Sequence, residues 1–147
     1  MAETVSSILR NKGHHVWSVS PDDSVLQAIR VMAEKGIGAL VVIAGQTLVG
    51  IISERDYARK VVLQGKSSKD TPVREIMTSP VVFVSPNQTV DDCMRIVTTK
   101  RIRHLPVVQD ESVVGVVSIG DLVQSVISTQ GETIQFLQEY IVGGRSV

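Results

Sequence analysis

The residues of this chain that suggest chemistry occur in two similar stretches, GIISERD at residues 50–56 and GVVSIGD at residues 115–121. Both read Gly-x-x-Ser-x-x-Asp, and each follows an apolar run and precedes a helical pattern. A serine hydroxyl can donate to a phosphate, and the N–H groups at a helix start favour the same anion. A carboxylate one turn along suits a ribose diol, because both sugar hydroxyls can donate to it. The pattern therefore predicts two corners that match a sugar and a phosphate.

Helix capping is a simpler explanation of each stretch. A serine where a strand passes into a helix is a good N-cap, and an acidic residue three positions later suits the first turn. Ser53 with Asp56, and Ser118 with Asp121, fit this description without any ligand. Loss of such a cap costs about 0.5–2 kcal/mol. The two explanations are compatible, because a serine can cap its helix until a ligand arrives.

The two stretches belong to an internal duplication, whose register extends beyond them without a gap. Apolar residues spaced i, i+3, i+4, i+7 predict one amphipathic helix in each half. They are Val25, Ala28, Ile29 and Met32 in the first half, and Val90, Cys93, Met94 and Val97 in the second. Ser-Pro pairs at residues 20–21 and 85–86 predict the helix entrances, and Cys93 is interpreted as a small core residue.

Each half therefore reads strand, helix, strand, strand, helix, with closing helices predicted over residues 54–64 and 119–130. We expect an α/β fold in which two β-α-β-β-α repeats pack with pseudo-twofold symmetry. The first repeat spans residues 1–66 and the second residues 67–130. A C-terminal helix and tail follow at residues 131–147, with Ile134, Leu137 and Ile141 along one side and Gly143-Gly144 at the end.

The composition argues against several classes of function. Fifteen Lys and Arg balance fifteen Asp and Glu, so the neutral chain lacks a broad surface for nucleic acid or anionic membrane. Cys93 is the single cysteine, and no His/Cys/Asp cluster has the spacing of a metal site. No nucleophile elbow or P-loop is present, so we expect no enzyme activity. Without an apolar signal core or membrane span, the expected location is cytoplasmic.

Cationic side chains flank both corners. They are Arg55, Arg59 and Lys60 in the first repeat, and Arg101, Arg103 and His104 in the second. A solvated helix face explains Arg59 and Lys60 equally well. Arg103 and His104 interrupt an apolar pattern at the start of a strand, and arginine can bind a phosphate through two hydrogen bonds.

The doubled pattern, with Gly-x-x-Ser-x-x-Asp closing each repeat and RIRHLPVV in the second, resembles a tandem CBS-domain pair, or Bateman module. The stretch SERDYARKVVLQGKSS and the ending YIVGG resemble stand-alone CBS-pair proteins of bacteria that have plant mitochondrial relatives. The resemblance implies an adenine nucleotide ligand (AMP, ADP, ATP or NAD) in clefts between the repeats, with no metal required. It also implies a homodimer.

The resemblance further implies roles for individual residues. Asp56 and Asp121 would hold ribose, while Ser53 and Ser118 would contact phosphate. Trp17 would stack on the base, although a role as core filler is equally consistent with the sequence. The implied nucleotide-binding set is Val16, Trp17, Ser53, Arg55, Asp56, Arg59, Lys60, Thr78, Pro80, Val81, Val82, Arg103, His104, Pro106, Ser118, Ile119, Gly120 and Asp121. Because Gly120 stands where the first repeat has Arg55, we expect two unequal sites.

The sequence thus predicts a regulatory module that senses an adenine nucleotide and signals to a separate effector protein. The alternative is an interaction and dimerisation scaffold that keeps the fold and the helix caps but is indifferent to nucleotides. Neither a membrane nor a nucleic acid is expected as a partner.

Overall fold

The computed structural model describes residues 3–128 of the 147-residue chain. The terminal helix expected around Ile134, Leu137 and Ile141 lies outside these described residues. Among residues 3–128, no helix combines the length and the apolar character that crossing a membrane requires.

The first half builds a three-stranded sheet with helices around it. Its elements are α1 (Val5–Lys12), β1 (Ser18–Val19), α2 (Val25–Lys35), β2 (Ala39–Ala44), β3 (Thr47–Ser53) and α3 (Glu54–Tyr57). Strand β1 pairs parallel with β2, and β2 pairs antiparallel with β3. The helix predicted over residues 54–64 is α-helical only at its start, because it continues as a π-helical segment over Ala58–Val62.

The second half repeats the hairpin and both helices. A 3-10 turn (Val73–Glu75) precedes α4 (Val90–Lys100), β4 (His104–Gln109), β5 (Ser112–Ser118) and a closing helix, α5, described over residues 119–128. The antiparallel pair β4–β5 has the same register as β2–β3, with an irregularity at the equivalent place. The opening strand predicted near Val81 is reduced to one parallel bridge between Val84 and Val107. The predicted α/β fold of two repeats is confirmed.

Helices α2 and α4 begin later than the Ser-Pro pairs predict. Their N-caps are Ser24 and Thr89, whose hydroxyl oxygens each accept a backbone N–H at 3.1 Å. The N–H of Ser20 instead donates to Asp23 Oδ2 at 2.9 Å, which closes a turn ahead of the helix. Cys93 is fully buried on α4, and burial raises the pKa of its thiol to about 11, so it is a core residue as interpreted.

Each hydrophobic core is completed by a segment from the other half of the chain. Val5 and Leu9 of α1 pack into the core of the second half, which includes Leu105. Val73 and Ile76, at the start of the second half, pack into the core of the first. This exchange ties the two halves together, because neither core is complete without it.

The glycine that opens each Gly-x-x-Ser-x-x-Asp motif is required by this exchange. A Cβ added at Gly115 of β5 would lie 2.7 Å from Leu9 Cδ2, and one added at Gly50 of β3 would lie 2.9 Å from Met77 Cγ. Such distances are far inside van der Waals contact. Close packing against the exchanged segment therefore explains the glycine of the motif. The serine and the aspartate are explained by the hydrogen bonds that they form where the strand passes into the helix.

Substitution of Gly115 by alanine should lower the free energy of unfolding by about 1–3 kcal/mol, because the new methyl group overpacks the contact with Leu9. Urea unfolding measures this change. Shortening the neighbour in the double variant Gly115→Ala/Leu9→Ala should cost less than the sum of the two single changes. Gly120→Ala is the matched control, since its Cβ meets only Ser118 Oγ at an ordinary 3.5 Å. Equal effects of Gly115→Ala and Gly120→Ala would contradict the packing argument.

Candidate functional site

A cleft of about 570 Å³ opens between the two halves. The first half contributes the corner from Ser53 to Lys60, and the second half contributes Arg101 to His104 at the start of β4. Thr78, Pro80 and Val82, from the segment of the second half that precedes α4, complete the lining. Ligand pockets typically enclose about 300–1,000 Å³, so this cleft is large enough for a small molecule.

The cleft brings together ten of the predicted residues. These are Ser53, Arg55, Asp56, Arg59, Lys60, Thr78, Pro80, Val82, Arg103 and His104. Its lining does not include Val16, Trp17, Val81, Pro106, Ser118, Ile119, Gly120 or Asp121. Sequence reasoning did not place Gly38, Ile51, Glu54, Arg101 and Ile102 in the site, although all five line the cleft. Arg101 stands in the same stretch as the predicted Arg103 and His104, whereas the others carry no comparable sequence signal.

Asp56, only 9% exposed, has separate partners for its two carboxylate oxygens. Oδ2 accepts the Ser53 N–H at 3.0 Å and the Ser53 hydroxyl at 3.1 Å, while Ser53 Oγ accepts the Asp56 N–H at 3.2 Å. This reciprocal arrangement is a capping box. Oδ1 instead contacts two side chains that line the cleft, Lys60 Nζ at 3.0 Å and Thr78 Oγ1 at 3.3 Å. The corner therefore caps its helix with one oxygen and presents the other to the cleft.

Lys60 is held at this corner by the π-helical segment that follows α3. Its ammonium group also donates to the carbonyl of Ile76 at 3.0 Å, although its side chain is still 45% exposed. Single π turns within helices occur frequently at functional sites. Here the segment carries both Arg59 and Lys60 on the wall of the cleft.

The corner of the second repeat has the same cap but a different occupant. Asp121 Oδ2 accepts the Ser118 N–H at 2.8 Å, and Ser118 Oγ accepts the Asp121 N–H at 3.1 Å. Lys12, at the end of α1, places its ammonium group 2.6 Å from Asp121 Oδ2 and donates to the carbonyl of Val116 at 2.8 Å. Both residues line a smaller cavity of about 280 Å³. A cation of the chain itself thus contacts this carboxylate.

The electrostatics of Asp121 and His104 follow from these neighbours. Burial alone raises the pKa of Asp121, but the hydrogen bonds from Lys12 and Ser118 outweigh it, so the pKa lies below its ordinary value. Burial lowers the pKa of His104, and the charges of Lys12 and Arg103 lower it further against the opposing effect of Asp121. The lowered pKa favours the neutral imidazole of His104, and an anion bound beside it would raise that pKa.

Trp17 lies outside the lining of the cleft and is 39% exposed. Its ring stacks nearly parallel to that of His15, with centroids 6.0 Å apart, and Lys35 Nζ lies 4.3 Å from its centroid. Among residues 3–128, no group of three or more His, Cys, Asp or Glu side chains is arranged to hold a metal ion.

Substitution of Lys12 by methionine tests the ion pair at the second corner. The pKa of Asp121 lies below its unfolded value of about 3.9, so the pair stabilises the fold above that pH and loses its contribution as the pH falls through the folded pKa. Because both side chains are partly exposed, the expected loss at pH 7 is about 0.5–1 kcal/mol in urea unfolding. The difference from wild type should shrink as the pH falls below about 4.

Lys69→Met is the matched control, since Lys69 is exposed and forms no ion pair with a described residue. A loss for Lys12→Met that stays constant from pH 7 into the acid range would assign the stabilisation to packing of the lysine stem instead.

Comparison with known proteins agrees with the architecture. The model of the CBS domain family matches residues 5–63 and 73–128. The chain is 42% identical over 151 residues to the mitochondrial CBS domain-containing protein CBSX3 of Arabidopsis thaliana, covering 96% of this chain and 73% of that protein. The solved CBS domain structure NE2398 is 50% identical, with a TM-score of 0.82, covering 86% of this chain and 99% of that one.

A further solved structure contains bound ligands. The CBS domain pair of protein MJ0100, in complex with 5'-methylthioadenosine and S-adenosyl-L-methionine, is 26% identical with a TM-score of 0.79 and covers 88% of this chain and 99% of that one. The family match, the two repeats with shared strand register and the cleft between them lead to one conclusion: this chain belongs to the CBS domain family, as a tandem CBS pair and a regulatory module.

Proposed function

We propose that this CBS pair binds an adenine nucleotide (AMP, ADP, ATP or NAD) in the cleft at Asp56 and signals its presence to a separate effector protein, without catalysing a reaction. The main support is the convergence on one cleft of Asp56 Oδ1, the Thr78 hydroxyl and cations from both halves. The MJ0100 domain pair, whose two bound ligands both contain adenosine, supports the ligand class.

The ribose site in this proposal is Asp56 Oδ1. The sugar hydroxyls replace the ammonium group of Lys60, whose side chain is 45% exposed and can move aside. The ribose hydroxyls then donate to the buried carboxylate in place of the lysine. The released lysine then remains beside the phosphate.

The remaining lining suits the other parts of a nucleotide. Ile51, Pro80, Val82 and Ile102 supply apolar surface for a purine base. The guanidinium groups of the second half lie across the cleft and suit the phosphate. A nucleotide bound in this way contacts both repeats.

Each corner already holds a lysine that a ligand must displace, Lys60 at Asp56 and Lys12 at Asp121. The cavity at Asp56 is larger, about 570 Å³ against about 280 Å³, and four arginines line it. We therefore propose that the Asp56 cleft is the tighter of two unequal sites.

Signalling requires the ligand to bind one arrangement of the repeats better than another. A nucleotide that contacts both walls of the cleft meets this condition, because its contacts depend on how the halves are placed. The proposed homodimer is supported by Ile119, Val123 and Ile127 of α5, which lie one turn apart and are 37%, 38% and 61% exposed. The proposed location remains cytoplasmic.

Replacement of Asp56 by asparagine should weaken binding of AMP and ATP about 10- to 100-fold, because the neutral amide loses the charge-assisted hydrogen bonds to ribose. Isothermal titration calorimetry measures this. Asp121→Asn is the matched control, since it alters the equivalent cap in the second repeat but leaves this cleft unchanged. Both variants should show similar losses of stability.

Unchanged affinity in Asp56→Asn would rule out the ribose assignment. If wild type binds none of AMP, ADP, ATP and NAD, the scaffold function is favoured instead.

A further inference from the structure

We propose that the Asp56 cleft selects ligands with two or more linked phosphates over monophosphates, and that Arg101 is a specificity-determining residue for the additional phosphate. The proposal rests on the proposed function, from which it takes the adenine nucleotide as ligand. The preference for linked phosphates is argued from the distribution of charge in the cleft.

The cleft contains more positive charge than one phosphate balances. Five cations and two carboxylates line it. Lys60 is neutralised by Asp56 at 3.0 Å. The four arginines, Arg55, Arg59, Arg101 and Arg103, form no ion pair with a carboxylate of residues 3–128. A monophosphate carries only about 1.5–2 negative charges near pH 7, whereas a polyphosphate chain carries more and extends across a wider area.

The duplication supplies an internal comparison for these charges. Each lysine or arginine that lines the Asp56 cleft has an equivalent position in the repeat to which it does not belong, and the residue at that position is neutral. The pairs are Arg55 and Gly120, Arg59 and Gln124, Lys60 and Ser125, Arg101 and Gly36, and Arg103 and Gly38. The helices and the hairpin of the other repeat form without these charges, although its closing helix is α-helical where Arg59 and Lys60 lie on a π-helical segment. Their concentration on one cleft points to a ligand with matching negative charge.

Arg101 also occupies a backbone conformation that favours glycine. It is the C-cap of α4, with φ 56° and ψ 45°, in the left-handed region. The equivalent C-cap of α2 is Gly36, with φ 66° and ψ 38°. Glycine is the usual residue here because a side chain is strained in this region. An arginine that carries this strain while lining the cleft is better explained by its guanidinium group than by its backbone.

The test uses Arg101→Gly, which recreates the residue of the other repeat. Calorimetric titrations with AMP, ATP, orthophosphate and inorganic tripolyphosphate compare it with wild type. We expect the variant to bind ATP and tripolyphosphate about 10- to 100-fold more weakly, with AMP changed less than about threefold. Its melting temperature should be unchanged or higher, because glycine relieves the strained backbone. Arg101→Asn, which tolerates the same conformation, repeats the test with a side chain present.

Asp110→Gly is the matched control, because Asp110 has φ 52° but lies in the β4–β5 turn, outside the lining of the cleft. It should leave every affinity unchanged. Wild type that binds AMP as tightly as ATP, or orthophosphate as tightly as tripolyphosphate, would overturn the proposal, as would equal losses for AMP and ATP in Arg101→Gly. If no adenine nucleotide binds, the proposed function fails. This inference is then decided by whether Arg101→Gly weakens the binding of tripolyphosphate.

Discussion

The site depends on one constraint, which is that the two carboxylate oxygens of Asp56 are held by different partners. Oδ2 is held by the backbone and hydroxyl of Ser53, so the carboxylate cannot turn away without uncapping α3. Oδ1 is consequently fixed at the wall of the cleft, where Lys60 and Thr78 contact it. In the proposed complex, helix capping and ligand recognition reinforce each other, because the cap positions the oxygen that accepts the ribose hydroxyls.

Pseudo-twofold symmetry makes two such corners, and the chain breaks the symmetry in two ways. Helix α1 packs against β5 and brings Lys12 onto Asp121, whereas the segment that packs equivalently against β3 brings Thr78 to Asp56. Both carboxylates also contact a lysine, Lys60 at Asp56 and Lys12 at Asp121. Arginines that replace glycines then add positive charge to the Asp56 cleft. One repeated fold thus forms an arginine-rich cleft at Asp56 and a smaller cavity at Asp121 that Lys12 lines.

Much of this architecture could be predicted from the sequence, because the duplication shows twice which positions are apolar and which residues form the corners. The caps at Ser53 and Ser118 were predictable from three-residue spacing. The contact of Lys12 with Asp121 was not, because it joins residues far apart in the chain through the packing of α1. The π-helical turn at Ala58 has no periodicity signal of its own. The role of Trp17 could not be predicted from its residue type, because its contacts with His15 and Lys35 depend on side-chain placement.

A crystal structure of the full chain grown with ATP tests the ribose site at Asp56 most directly. We expect ribose hydroxyls about 2.5–3.0 Å from Asp56 Oδ1, with the Ser53 cap on Oδ2 intact and Lys60 moved away from the carboxylate. A structure in which Lys60 still contacts Asp56 while the nucleotide lies elsewhere would contradict this assignment.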